Sequence, residues 1–295
     1  MTRSFSVLLG VAYGFAAALI GASWQVATRY GVTSSLAPSD LALLRYGIPA
    51  LLLSPLLIRH GVLPRNVHRG WLIVLICSGG IGYGLLAMTG ASLSPTAHMG
   101  VLVSGTMPLF TALLFLWVAR EPINKRRQFG YALIIAGALA FGFASTRLSF
   151  DDSWIGDIFF VAAAMSWAVY TFAFRKLALP AWYATAIVCF WSVLAAVVWA
   201  ALRGGTGLFS APPSEIAIQM VMQGIVAGLL GSVAFFQSIR HLGANNAALF
   251  GALVPLLSAL GGYALLSETV NLASGVAIAV LTLGILLAAR WREPH

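Results

Sequence analysis

Residues 96–122 read TAHMGVLVSGTMPLFTALLFLWVAREP. No charged side chain occurs between Met99 and Ala119. A hydrocarbon layer about 30 Å thick is crossed by about 20 apolar residues in a helix. This stretch is therefore a membrane span, and the rest of the 295-residue chain repeats the pattern. Further blocks fall at 7–29, 39–59, 70–91, 126–146, 154–175, 181–202, 215–240, 244–266 and 271–290. Ten spans at ~20 residues each leave only short loops, too small for a soluble domain. Apolar residues make up 60% of the chain and charged ones 8%. A charge at the bilayer centre costs at least ~2.5–3.5 kcal/mol. The expected fold is an all-α polytopic membrane protein.

Helix breakers separate the blocks. Gly31 and Pro38 bracket the first loop, Gly61 and Pro64 the second, and Pro95 the third. Pro122 follows the fourth span, Pro180 opens the seventh and Pro212-Pro213 precedes the eighth. The run from Val7 continues past Trp24 to Thr28, which reads as an uncleaved first span rather than a signal peptide. With the N-terminus placed in the cytoplasm, thirteen Lys and Arg lie on inner segments and three on outer ones (Arg29, Arg147 and Arg203). That asymmetry predicts ten spans with both termini inside. It also accounts for the net charge of +9 without nucleic acid, since the basic residues lie between spans and form no aromatic-interleaved face. Cys77 and Cys189 sit in apolar blocks and read as small core residues.

The chain repeats itself. The fourth span carries Pro108 and is followed by Glu121; the ninth carries Pro255 and is followed by Glu268, at the same interval of thirteen residues. Sixteen residues beyond each glutamate comes a glycine, Gly137 or Gly284. Trp24 and Trp167 hold similar places in spans 1 and 6. Residues 1–150 and 151–295 are thus expected to be two five-span repeats of one membrane domain. Five is odd, so the second repeat enters the membrane inverted, an arrangement that puts a binding site near midplane between the halves.

With "Pro-Leu … Arg-Glu-Pro" from Pro108 to Pro122 and "Pro-Leu-Leu … Ser-Glu" from Pro255 to Glu268, this layout resembles the drug/metabolite transporter superfamily, EamA type. The resemblance covers essentially the whole chain and is greatest to the YddG-type exporters. It implies export of aromatic amino acids and related metabolites across a bacterial inner membrane, through a central cavity within a basket of helices. It supplies no sharp substrate motif.

No chemistry competes with transport. Metal-spaced His/Cys/Asp/Glu clusters, an arguable Ser-His-Asp set and a phosphate loop are all missing from the sequence, so neither an enzyme nor a cofactor is expected. The thin loops also weigh against a membrane scaffold or assembly factor, and a single protomer suffices for transport. Asp40 and Arg45 read as a local ion pair near the surface, which leaves no central basic residue for a phosphorylated cargo. Asp157 and His98 are the available proton carriers for a drug exporter, the competing transporter reading. The candidates to line the cavity are Trp24, Tyr83, His98, Met99, Trp167, Gln237 and Asn245, each weighed against core packing or interface anchoring. Aromatic walls suit an aromatic cargo. Trp24 and Trp167 are expected to act as opposite gates. Gly82, Pro108, Glu121, Pro255 and Glu268 are candidate hinge or structural positions.

The orientation is testable with protease-cleavable tags at both ends. In right-side-out vesicles both tags should be protected, and in inverted vesicles both should be removed.

Overall fold

The computed structural model describes residues 3–65, 67–120, 123–146, 153–202 and 204–289. Every regular element among them is helical. In chain order they are α1 (Arg3–Thr33), α2 (Pro38–Leu52), α3 (Ser54–His60), α4 (Arg69–Leu93), α5 (Thr96–Ala119), α6 (Lys125–Thr146), α7 (Ser153–Leu177), α8 (Ala181–Leu202), α9 (Pro213–Leu242), α10 (Asn246–Leu266) and α11 (Leu272–Ala288). Eight of them, α1 and α4 to α10, are long and apolar enough to cross a bilayer. The bent pair α2 and α3 can make a ninth, and α11 is apolar but only 17 residues long. Large apolar side chains such as Leu8, Trp117, Leu139 and Leu265 point outward, as a hydrocarbon solvent permits.

The helices are interrupted where proline or glycine dictates. Pro55 has no N–H to continue the ladder of α2, and α3 restarts there at an angle of 59°. In α4 the break falls at Gly80. Its carbonyl accepts a hydrogen bond from Tyr46 Oη at 2.5 Å, and the next N–H, on Ile81, donates to Ser192 Oγ at 3.0 Å. A Cβ at Gly79 would lie 2.0 Å from the Tyr170 ring, and one at Gly80 2.0 Å from Ser192 Oγ. The glycine cluster is therefore a packing device and a bend together; Gly82 follows the break, and a Cβ there would lie 2.3 Å from the Cys77 carbonyl oxygen.

Pro108 and Pro255 act alike. Neither can donate to the carbonyl four residues back, at Ser104 or Gly251. Before Pro108 the helical ladder widens over Gly100–Gly105; before Pro255 it tightens over Phe250–Leu253. Both helices then end on a left-handed residue, Arg120 (φ 53°) or Ser267 (φ 56°). Glu121 itself lies outside the described residues.

Small residues set the closest crossings. Helices α6 and α11 meet with Gly130 against Ala288 and Gly284, and Gly137 against Leu281. Gly10 and Gly14 receive Leu242 and Phe250, while Gly224 and Gly228 receive Ile48 and Pro49, so these glycine pairs pack within the chain. Helix α1 packs on α9 and α10, α4 on α7, α2 on α8 and α9, and α5 on α7 and α10. Cys77 and Cys189 form no disulfide.

An added methyl at Gly284 would sit 2.7 Å from the Ile134 nitrogen and 2.8 Å from the Gly130 carbonyl oxygen, whereas one at Gly275 meets nothing within 4 Å. Overpacking of this kind costs about 1–3 kcal/mol. Gly284→Ala should lower the melting midpoint in detergent by several degrees, and Gly275→Ala should leave it unchanged.

Candidate substrate cavity

A cavity of ≈ 440 Å³ lies between α1, α2, α4, α5, α7, α9, α10 and α11. A second, of ≈ 600 Å³, shares Met107, Pro108, Trp167, Phe235, Ala248 and Ile285 with it and runs on to Arg127, Tyr131 and Arg175. The two form one passage that leads to the arginine-rich helix ends, the first turn of α6 and the last turn of α7. Its volume and largely apolar wall suit a small organic molecule.

Aromatic rings build the deep part. Tyr83 lies between Trp24 and Trp167, at ring separations of 5.9 and 4.9 Å, and Trp167 continues to Tyr170 at 4.9 Å. Both tryptophans expected as gates line the same chamber, with the Tyr83 ring between them. Trp24 is fixed in place, because its Nε1 donates to Gln223 Oε1 at 2.8 Å. Gln223 in turn donates to Thr28 and to Gln219, and Gln219 donates to the Ala27 carbonyl at 2.7 Å. Gln25 is similarly committed, donating to Ser104 Oγ and accepting from Ser258 Oγ, each at 2.6 Å.

Arg45 also lines the chamber, with its guanidinium carbon 4.3 Å from the centroid of the Trp24 ring. This corrects the reading of a local ion pair with Asp40. Five residues along a helix subtend about 140°, so the two side chains leave opposite flanks of α2. Asp40 is buried and instead accepts hydrogen bonds from Ala37 N, Thr206 Oγ1 and Gly207 N, at 2.9, 2.6 and 3.1 Å. The expectation that the passage holds no basic residue falls with it. The signal in the sequence was the lone arginine inside an apolar span, a functional position by default. Arg127 and Arg175, read as topology determinants, also face the passage. Arg127 donates to the Ala288 carbonyl and the Tyr131 hydroxyl, and Arg175 lies over the Phe115 ring.

The remaining candidates stand elsewhere. His98 Nδ1 is 2.7 Å from Asp157 Oδ1, and its ring meets the face of Phe141. The pair lies beside a separate small cavity with Glu268 and Asn271, at the end of the bundle opposite the arginines. Met99 is fully buried and Gln237 half-buried, and neither lines the passage. The side chain of Asn245 lies outside the described residues. Pro108 lines the join of the two chambers, while Pro255 is buried against Gly100. Glu268 ties three elements: Arg29 Nε donates to its Oε1 at 3.2 Å, Thr96 N donates to its Oε2 at 2.9 Å, and Arg29 Nη1 reaches the Ala91 carbonyl. These bonds tie the helix ends together opposite the arginines. Among the described residues no three His, Cys, Asp or Glu side chains gather to hold a metal.

The model of the EamA-like transporter family matches this chain twice, over residues 8–143 and 154–290. The "Uncharacterized transporter YyaM" of Bacillus subtilis (strain 168) is similar at 23% identity, over 98% of this chain and 92% of its own. A solved crystal structure, of a molecule described only as a protein, shares the fold at a TM-score of 0.60 and 21% identity, covering 97% of this chain and 98% of its own.

Replacing Glu268 by Gln removes the charge that holds Arg29. In a background without Cys77 and Cys189, if these bonds close the passage, a cysteine at Ser104 should then react faster with a membrane-impermeant maleimide added from the Glu268 side. An unchanged rate would place the closure elsewhere.

Proposed function

The chain belongs to the EamA-like transporter family, and from that premise we propose that it exports small apolar or aromatic metabolites, aromatic amino acids among them, from the cytoplasm by alternating access. The supporting observation is the passage itself: aromatic-walled and open toward the arginine-rich ends, with the opposite helix ends tied together by the Arg29–Glu268–Thr96 knot. That is the shape of one end state of a two-state carrier. The arginine-rich ends are then cytoplasmic, and the chain lies in a bacterial inner membrane with both termini inside.

The packing supports ten spans in two inverted repeats, 1–150 and 151–295, with α2 and α3 as one span and α11 as the tenth. Exchanging the two sets of five spans maps α1 on α9 to α7 on α4, α2 on α9 to α8 on α4, and α1 on α10 to α7 on α5. The contacts α2–α8, α5–α10 and α6–α11 map to themselves. The shared left-handed ends at Arg120 and Ser267 fit the same exchange.

The His98–Asp157 contact favours a second reading, proton-coupled export of diverse drugs. Counterflow in liposomes separates the two. Saturable exchange of labelled tryptophan and phenylalanine without a pH gradient is expected. Movement of a cationic dye that requires the gradient would replace the first reading with the second. In the first case Trp167→Ala should cut the exchange rate about two- to tenfold, because one ring–ring contact of ~0.5–1.5 kcal/mol with the cargo would be lost.

A further inference from the structure

We propose that Arg45 is the anchor for a carboxylate on the cargo, and that the cargo class is aromatic or apolar monocarboxylates, with or without an amino group. The inference rests on the transporter reading and narrows it. Arg45 Nη1 is buried and has no hydrogen-bond partner among the described residues, although it belongs to a permanently charged group. A buried polar atom left unpaired costs free energy, more so on a charged group. Arg45 itself lines the chamber, and an unpaired atom on such a side chain is accounted for when a bound ligand completes it. The Trp24 ring beneath the guanidinium carbon supplies a cation–π contact but no hydrogen-bond acceptor, and the adjacent Tyr46 side chain interacts with the guanidinium without engaging Nη1.

The charge of the whole passage points the same way. Among the described residues its lining includes Arg45, Arg127 and Arg175, and no aspartate or glutamate lines either chamber. A single-signed passage with low-dielectric walls concentrates ions of the opposite sign. Asp40, the acid nearest Arg45 in sequence, is occupied by Thr206 and Gly207. An ammonium entering the chamber would find amides already engaged, aromatic faces and an arginine. A carboxylate would find an open donor on a group whose planar fork matches it. A phosphate dianion is less well served, since Arg127 near the mouth is already bonded to Ala288 and Tyr131.

The ring of such a cargo would lie on Tyr83 and Trp167 while its carboxylate reaches Arg45 at the deep end. Recognition then needs one negative charge and a flat or apolar body. The α-amino group of an amino acid is tolerated rather than read.

Calorimetric binding of 3-phenylpropionate, L-phenylalanine and phenethylamine to the purified full-length protein, paired with counterflow of the same three and of neutral indole, tests this. The two acids should bind and exchange, and phenethylamine should not. Arg45→Gln should weaken both acids at least about tenfold. Arg45→Lys, which keeps the charge without the fork, should retain the preference for acids at reduced affinity. It also serves if the glutamine variant folds poorly, as read by size exclusion and melting midpoint. Equal binding of the amine, or unchanged acid affinity in a folded Arg45→Gln protein, would overturn the anchor while leaving transport intact. Exchange of indole alone would do the same. If none of the four moves or binds, the transporter reading for aromatic cargo fails and the anchor with it.

Discussion

Hydrocarbon offers no hydrogen bonds, and that constraint governs this chain more than any contact within it. Each backbone N–H and C=O inside the bilayer must find a partner in the protein. Continuous helices solve this by themselves. The interesting places are where they stop doing so. The break at Gly80 is repaired by Tyr46 from α2 and Ser192 from α8. Further side chains reach across to neighbouring backbone: Gln219 of α9 binds the Ala27 carbonyl of α1, and Ser238 binds the carbonyl of Gly10. Polar side chains in the spans are thus largely spoken for by the scaffold; among the described residues Arg45 Nη1, Thr96 Oγ1 and Thr282 Oγ1 are buried without a hydrogen bond, and of these three residues Arg45 lines the passage.

Close packing by glycine and openness at the centre are complementary. Where Gly130, Gly137 and Gly284 bring α6 and α11 together, backbone approaches backbone and no room is left for a ligand. Where large rings face one another across Tyr83, the helices are held apart and a chamber persists. The order of small and aromatic residues along the spans divides the interior into seam and cavity. Membrane helices gain little from hydrophobic attraction to one another, so the seams rely on the fit of these surfaces and on interhelical hydrogen bonds.

The spans were legible because their signal is long: about twenty uncharged residues bounded by breakers cannot be mistaken for much else. The α2–α3 bend was less so, since Pro55 sits within an apolar block and its effect is directional. The cavity aromatics Trp24, Tyr83 and Trp167 could be nominated by depth in a span, but depth is one coordinate. It does not give the face of the helix, and His98, Met99 and Gln237, candidates as side chains within spans, stand away from the passage. Arg45 was misplaced through a different error. Nearness in sequence to Asp40 is not nearness in space, because helical geometry turns the two side chains apart.

The Asp40 carboxylate has a mechanical consequence. It is bound by the first turn of its own helix and by Thr206 and Gly207 in the turn that leads into α9. Helix α2 and that turn are thereby pinned as one lever. Arg45 sits about 7–8 Å further along the same helix, and α9 carries the glutamines that hold Trp24. Contacts thus run from the guanidinium along α2 to Asp40, across to the turn before α9, along α9 to Gln223 and back to the indole beneath Arg45, a closed circuit that joins the floor of the chamber to its wall.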